Sequence, residues 1–271
     1  MTDLAGVCDT HMHVYDARYP AAAAAVLRPP DAGVDDYAAV QAALGSDRVV
    51  VVQPTTYGFD NRCQIEAMAV LGDAARGVMV VDSQTRPAAL EKLTGLGVRG
   101  ARFHMLPGGA VGWDELEATA SAIAEFGWHV QLQLDGNELP DLVDRLLALP
   151  TDLVVDHVGR FMPPHGIDSP GVVALRRLVD SGRCWVKLSA PYEGSAQPRP
   201  HADVAEVAHA LVAQAPERML WASNWPHPGQ IDPPSFADLV AWRDDWIPAE
   251  HRRRVLVDNP TVVYDFPPDV G

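Results

Sequence analysis

Near the start of the chain, C-D-T-H-M-H places Asp9, His11 and His13 two residues apart. On a β-strand that spacing sends all three side chains to one face. Two imidazoles so placed form half of a zinc site, or a pair of hydrogen-bond donors for a carbonyl oxygen. Asp9 is either a carboxylate that orients an imidazole or a deep structural acceptor. His157 follows Asp156, and on a continuing strand these neighbours point to opposite faces. Arg102 offers a planar fork that matches a substrate carboxylate, with a buried ion pair to Asp82 or Asp135 as the alternative. His227 has an ordinary pKa of about 6.5 and is a candidate base. Tyr57, Asp60 and Asn61 can reach substrate hydroxyls, although Asp60 and Asn61 serve equally well as helix caps. Gln133 and Tyr192 are further candidate oxygen contacts. His201, His209 and His251 fall in helical or loop patterns and read as surface residues.

Residues this far apart need a scaffold to bring them together. Eight short apolar runs recur: Gly6–Tyr15, Asp47–Pro54, Gly77–Ser83, Gly97–His104, His129–Leu134, Asp152–Gly159, Cys184–Ala190 and Met219–Pro226. Several are rich in valine, as strands buried on both faces are. Between them lie amphipathic stretches such as Asp114–Phe126, Leu139–Leu149, Ser169–Ser181 and Ala202–Ala215. The 271 residues divided among eight strand-then-helix units give about 34 per unit, the size and order of a (β/α)8 TIM barrel. An open doubly wound sheet is the rival, but no G-x-G-x-x-G follows the first strand. The tail from Pro248 to Gly271 is expected to add one helix, Ala249–Val257, and the whole chain, 1–271, reads as one domain. The polar residues sit at the C-terminal ends of the runs, which is the catalytic face of such a barrel.

Composition narrows the function. Charged residues number 21 basic against 36 acidic, for a net charge of −15. That balance lacks the footprint of a nucleic-acid binder or of an anionic-membrane binder. The run Tyr19–Leu27, with its five alanines, is too short to span a bilayer. Three unpaired-looking cysteines and no visible signal peptide suit a reducing, cytoplasmic setting. A small molecule is the expected partner, with a homo-oligomer an open alternative.

The motifs D-T-H-M-H (9–13), V-V-D-H-V-G (154–159) and W-A-S-N-W-P-H (221–227), taken in this order, resemble the amidohydrolase superfamily. They are most similar to its lactone-processing branch, the pyrone-dicarboxylate lactonase and galactarolactone isomerase kind. V-V-Q-P-T-T-Y-G-F-D-N (51–61), P-G-G-A-V (107–111), Q-L-D-G-N (133–137) and V-K-L-S-A-P-Y-E (186–193) extend the likeness over nearly the whole chain. The resemblance implies a barrel whose substrate carbonyl lies near His11 and His13, with His157 beside them. It also implies an aspartate in the eighth-strand motif, where this chain has Asn224. An amide has no useful basicity and cannot act as a general base.

The resemblance therefore implies a lactone enzyme with two routes. In the first, His11, His13 and His157 polarise the lactone carbonyl, Arg102 holds a carboxylate, and water opens the ring. His157 or His227 would activate that water and Asn224 would position it. In the second, a substrate hydroxyl replaces water and the lactone isomerises. A barrel that only binds a carboxylated ligand, and decarboxylation, are the further alternatives. The cofactor expectation is either no metal or one zinc ion on His11, His13 and His157. A binuclear centre is not expected, because Arg102/His104 and Gln133 stand where that pattern wants Lys and His. The second arginine that would grip a dicarboxylate is replaced by Gly108.

Overall fold

The computed structural model describes residues 4–268, so residues 269–271 of the expected tail lie outside it. Eight parallel strands follow one another around a single sheet: β1 (Cys8–Met12), β2 (Arg48–Val52), β3 (Ala75–Met79), β4 (Val98–His104), β5 (His129–Gln133), β6 (Leu153–Val155), β7 (Cys184–Leu188) and β8 (Met219–Trp221). β8 returns to β1 through hydrogen bonds from Thr10 Oγ1 to Trp221 O (2.9 Å), from Asn224 N to His11 O (2.9 Å) and from His13 N to Trp225 O (2.9 Å). The result is a nearly closed (β/α)8 barrel, with helices α1 (Val34–Leu44), α2 (Arg62–Leu71), α3 (Pro87–Gly95), α4 (Leu116–Ala124), α5 (Leu139–Leu147), α6 (Pro170–Asp180), α7 (Ala202–Gln214) and α8 (Phe236–Trp246) packed outside. Among the described residues no helix is long and apolar enough to cross a membrane.

The valine runs form strands because both of their faces are buried. In β2 every residue is buried, Val49 and Val51 against the helices and Val50 and Val52 inside the barrel. The lower half of the interior is apolar, built from Cys8, Val50, Val78, Val154, Trp185 and Leu220, and is plugged from below by Tyr264 and Phe266. The upper half is polar. That division is what creates a floor on which chemistry can be placed.

Three local expectations are corrected. Between Asp9 and Met12 the pairing of β1 with β2 slips by one residue, a bulge that breaks the two-residue alternation. Asp9 consequently does not share a face with His11. It accepts hydrogen bonds from Tyr37 Oη on α1 (2.8 Å) and from Ser223 N (2.9 Å). The expected helix Ala249–Val257 is instead a 3-10 turn (Ala249–His251), a wide π turn (Arg254–Asp258) and α9 (Asn259–Tyr264). Pro260 has no N–H to give and crowds the carbonyl four residues back, so the ladder opens just before it. His201 is not a surface residue: it is buried at the start of α7, its Nδ1 donates to Gln197 O (3.0 Å), and its ring packs on Trp242.

Asn259 ties the plug to the barrel by donating from Nδ2 to Pro216 O (2.8 Å) and Met219 O (2.7 Å). Asn259→Ala leaves these carbonyls unpaired in a buried place and is expected to cost about 2 kcal/mol. In urea unfolding the midpoint should fall with an unchanged slope.

Candidate functional site

A cleft of about 280 Å3 opens at the C-terminal ends of the strands. Its wall includes His13, Arg102, His104, Gln133, His157 and Asn224. Val26 and Leu27, from the alanine-rich run, form part of its rim. That run is pinned over the barrel mouth by Ala22 N donating to Thr56 O (2.7 Å).

Beneath the cleft lies a fully buried charged network. Lys187 Nζ sits 2.7 Å from Gln131 Oε1, 3.3 Å from His11 Nδ1 and 3.5 Å from Asp156 Oδ1. An ammonium has three N–H groups, and three acceptors surround it. Gln131 Nε2 in turn donates to Asp156 Oδ2 (3.1 Å). His11 Nδ1 lies 3.3 Å from both Lys187 Nζ and Asp156 Oδ1, and its Nε2 faces His13 Nε2 at 3.2 Å. His13 closes the chain by donating from Nδ1 to Val52 O (2.8 Å). Burial pushes the Asp156 carboxyl up, but His11 and Lys187 more than reverse this and hold it well below the usual carboxylate range. Burial brings Lys187 down to about 8, against the pull of Asp156.

Both Asp156 and His157 face inward, contrary to the expectation for a continuing strand. β6 ends at Val155, and His157 adopts a left-handed backbone (φ 55°) that swings its ring back over the barrel. Its Nδ1 lies 2.9 Å from Ser189 Oγ, and its ring centre lies 5.0 Å from that of His11. Arg102 makes no ion pair with Asp82 or Asp135. It donates to Gln53 O (2.5 Å) and Gln133 Oε1 (2.8 Å), and its buried Nε has no partner. Asp82 and Asp135 accept from neighbours in their own turns instead.

Asn224 Nδ2 donates to Tyr192 Oη (2.9 Å), while its Oδ1 is buried without a partner. Tyr192 Oη lies 2.9 Å from His227 Nδ1. Burial and the Arg199 charge push His227 down to about 4, so it is a weak base turned toward Tyr192. Of the sequence candidates, His11 lies beneath the cleft, Tyr192 and His227 stand behind Asn224, Asp60 pairs with Arg62, and Tyr57 and Asn61 are engaged elsewhere. Tyr57 Oη accepts from Asp16 N (2.8 Å), and Asn61 clamps the backbone of Val80 through both amide atoms (2.8 and 3.0 Å). Lys187, Gln131, Arg160 and Glu193 were given no role by sequence reasoning. The available signal was Lys187 itself, a lysine inside the apolar strand C-W-V-K-L.

The residues that come together as metal ligands among those described are His11, Asp156 and His157, with ligand atoms within 4.8 Å of one another. Asp156 thus stands in the set where His13 was expected. The set fits a metal ion poorly, because the Lys187 ammonium already contacts both His11 and Asp156 and neutralises the carboxylate. Asn224 adds only a neutral oxygen.

Several imidazoles are held neutral by burial. His104 and His129 are pushed down to about 3 by burial, with Arg102 and Lys187 respectively adding to it. The unfolded chain takes up these protons near about pH 6.5, so it binds more protons than the native state from there down. The stabilisation is fully present above about pH 6.5 and is lost as pH falls toward the folded values. Each such histidine should contribute up to about 1.4 kcal/mol per pH unit. Urea midpoints measured between about pH 7 and pH 5 should fall accordingly.

Comparison with known proteins agrees with this architecture. Residues 8–266 match the family described as Amidohydrolase. The D-galactarolactone isomerase of Agrobacterium fabrum is 38% identical over 269 residues, covering 97% of this chain and 92% of that protein. The 2-pyrone-4,6-dicarboxylate hydrolase of Comamonas testosteroni is 35% identical over 278 residues, covering 96% and 90%. A crystal structure of an Agrobacterium tumefaciens protein superposes with a TM-score of 0.92 at 38% identity over 97% of both chains. With nearly its whole length matched, this chain belongs to the amidohydrolase family.

Proposed function

We propose that this protein is an enzyme that opens the ring of a carboxylated lactone with water. The observation that carries this reading is the sharing of one cleft by Arg102 and by His157, whose Nδ1 is anchored on Ser189. Arg102, with a free buried N–H, holds the substrate carboxylate. The carbonyl lies at the His11–His13 end and takes over the Nε2–H that His11 otherwise directs at His13. The positive charge of Lys187 behind His11 strengthens that donor as the oxyanion develops. His157, giving its Nδ1–H to Ser189, presents a lone pair on Nε2 that accepts the proton of the attacking water and then passes it to the ring oxygen as the acyl C–O bond breaks. Burial lowers its pKa, but Asp156 and Glu193 favour its protonated form. The unpartnered Oδ1 of Asn224 orients the O–H of the nucleophile. The names of the two relatives, a lactone isomerase and a pyrone-dicarboxylate hydrolase, support lactone chemistry at this site.

One observation favours a second reading, isomerisation. Asn224 is an amide bound to Tyr192, so the eighth-strand position supplies no base for water. A hydroxyl of the substrate itself, already held at high effective concentration, needs less activation. A pH-stat assay on aldarate and muconate lactones separates the routes. Acid release at one proton per lactone is expected, with a loss of about 10²–10⁴ in rate for His157→Ala. No acid release, together with a change of ring size by NMR, would sink hydrolysis in favour of isomerisation.

We infer further that the reaction runs without zinc, because Lys187 provides the buried positive charge. Dialysis against a chelator should leave activity within about twofold of its starting value, with less than about 0.1 equivalent of metal by mass spectrometry. Loss on chelation with recovery on zinc would show the reverse.

A further inference from the structure

The cleft wall carries a second guanidinium, Arg160, and one carboxylate, Glu193. Arg160 Nε is 3.3 Å from Glu193 Oε2, and the two side chains are only 17% and 21% exposed. They come from different turns, Arg160 from the end of the turn after β6 and Glu193 from the turn Pro191–Glu193 after β7. Backbone contacts hold these turns together. A Cβ added at Gly194 would come within 2.9 Å of Phe161 O, so only glycine allows the approach. The pair is therefore set in place before any ligand arrives.

Counting charge around the cleft gives a definite result. Arg102 and Arg160 are positive and Glu193 is negative. Lys187 and Asp156 lie underneath and cancel. One positive charge, on Arg102, is left for a ligand. A second anionic group reaching Arg160 must displace Glu193 and then lie beside it, which costs affinity in a partly buried place. The net charge of −15 on the whole chain adds to this discrimination.

We propose that the Arg160–Glu193 pair is the specificity device of this cleft, admitting a lactone that bears one carboxylate and disfavouring one that bears two. This rests on the lactone reading above. Glu193 is the residue that neutralises the second arginine, and its removal exposes Arg160 to a second carboxylate.

The test uses ring ethers that cannot turn over, tetrahydropyran-2-carboxylate and tetrahydropyran-2,6-dicarboxylate, titrated by calorimetry at low salt. The wild-type protein is expected to bind the monocarboxylate at least as tightly as the dicarboxylate. Glu193→Gln, which keeps the size of the side chain, should raise the ratio of dicarboxylate to monocarboxylate affinity by about tenfold. Arg160→Gln should lower that ratio by about threefold or more, because it leaves Glu193 unpaired where the second carboxylate would lie. A wild-type preference for the dicarboxylate by about tenfold, or an unchanged ratio in Glu193→Gln, overturns the proposal. If lactones are turned over while that ranking fails, the specificity device alone is wrong. If neither acid binds and no lactone reacts, the lactone reading falls with it.

Discussion

The structure depends on one buried ammonium. Lys187 has no contact with solvent, and an unpaired charge in such a place would be prohibitively costly. Gln131, His11 and Asp156 each stand within 3.5 Å of it, and they come from three different strands or strand ends. The barrel can close with a polar upper layer only because this charge is met from all sides. The same arrangement holds His11 by its Nδ1, between Lys187 and Asp156, and turns its Nε2 toward His13. A single side chain thus couples the stability of the floor to the chemistry of the residues above it.

Around that floor, polar groups are held by neighbours distant in sequence. Asp9 joins α1 to the segment after β8 through Tyr37 and Ser223. Asn224, Tyr192 and His227 form a second chain that links the seventh and eighth loops. Neutral groups predominate at the cleft wall because burial and the nearby arginines keep imidazoles unprotonated. This leaves Arg102 as the main local positive charge at the cleft of a strongly acidic protein.

A metal-binding pattern meets a competing charge here. Two histidines on one strand suggest a zinc ligand pair, and geometry does gather His11, Asp156 and His157. The Lys187 ammonium lies against two of the three, His11 and Asp156. It places positive charge beside the carboxylate, and its position is fixed by the fold.

Much of the architecture was legible in the residues. The valine runs marked strands buried on both faces, their spacing marked a barrel, and the polar strand ends marked which mouth carries the chemistry. The family likeness rested on motifs at the first, sixth and eighth strands, and these do meet at one mouth. Other features were not legible. A one-residue bulge turned Asp9 away, and a left-handed backbone turned His157 inward, because alternation along a strand predicts facing only while the strand continues unbroken. Arg160 and Glu193 lie 33 residues apart and meet only where two turns touch. The sequence by itself determined the fold and the set of polar groups offered to its upper face, since periodicity and residue type are local properties. Only the tertiary structure decided which groups pair and which charge stays free, because those depend on distances between strands that no local pattern records.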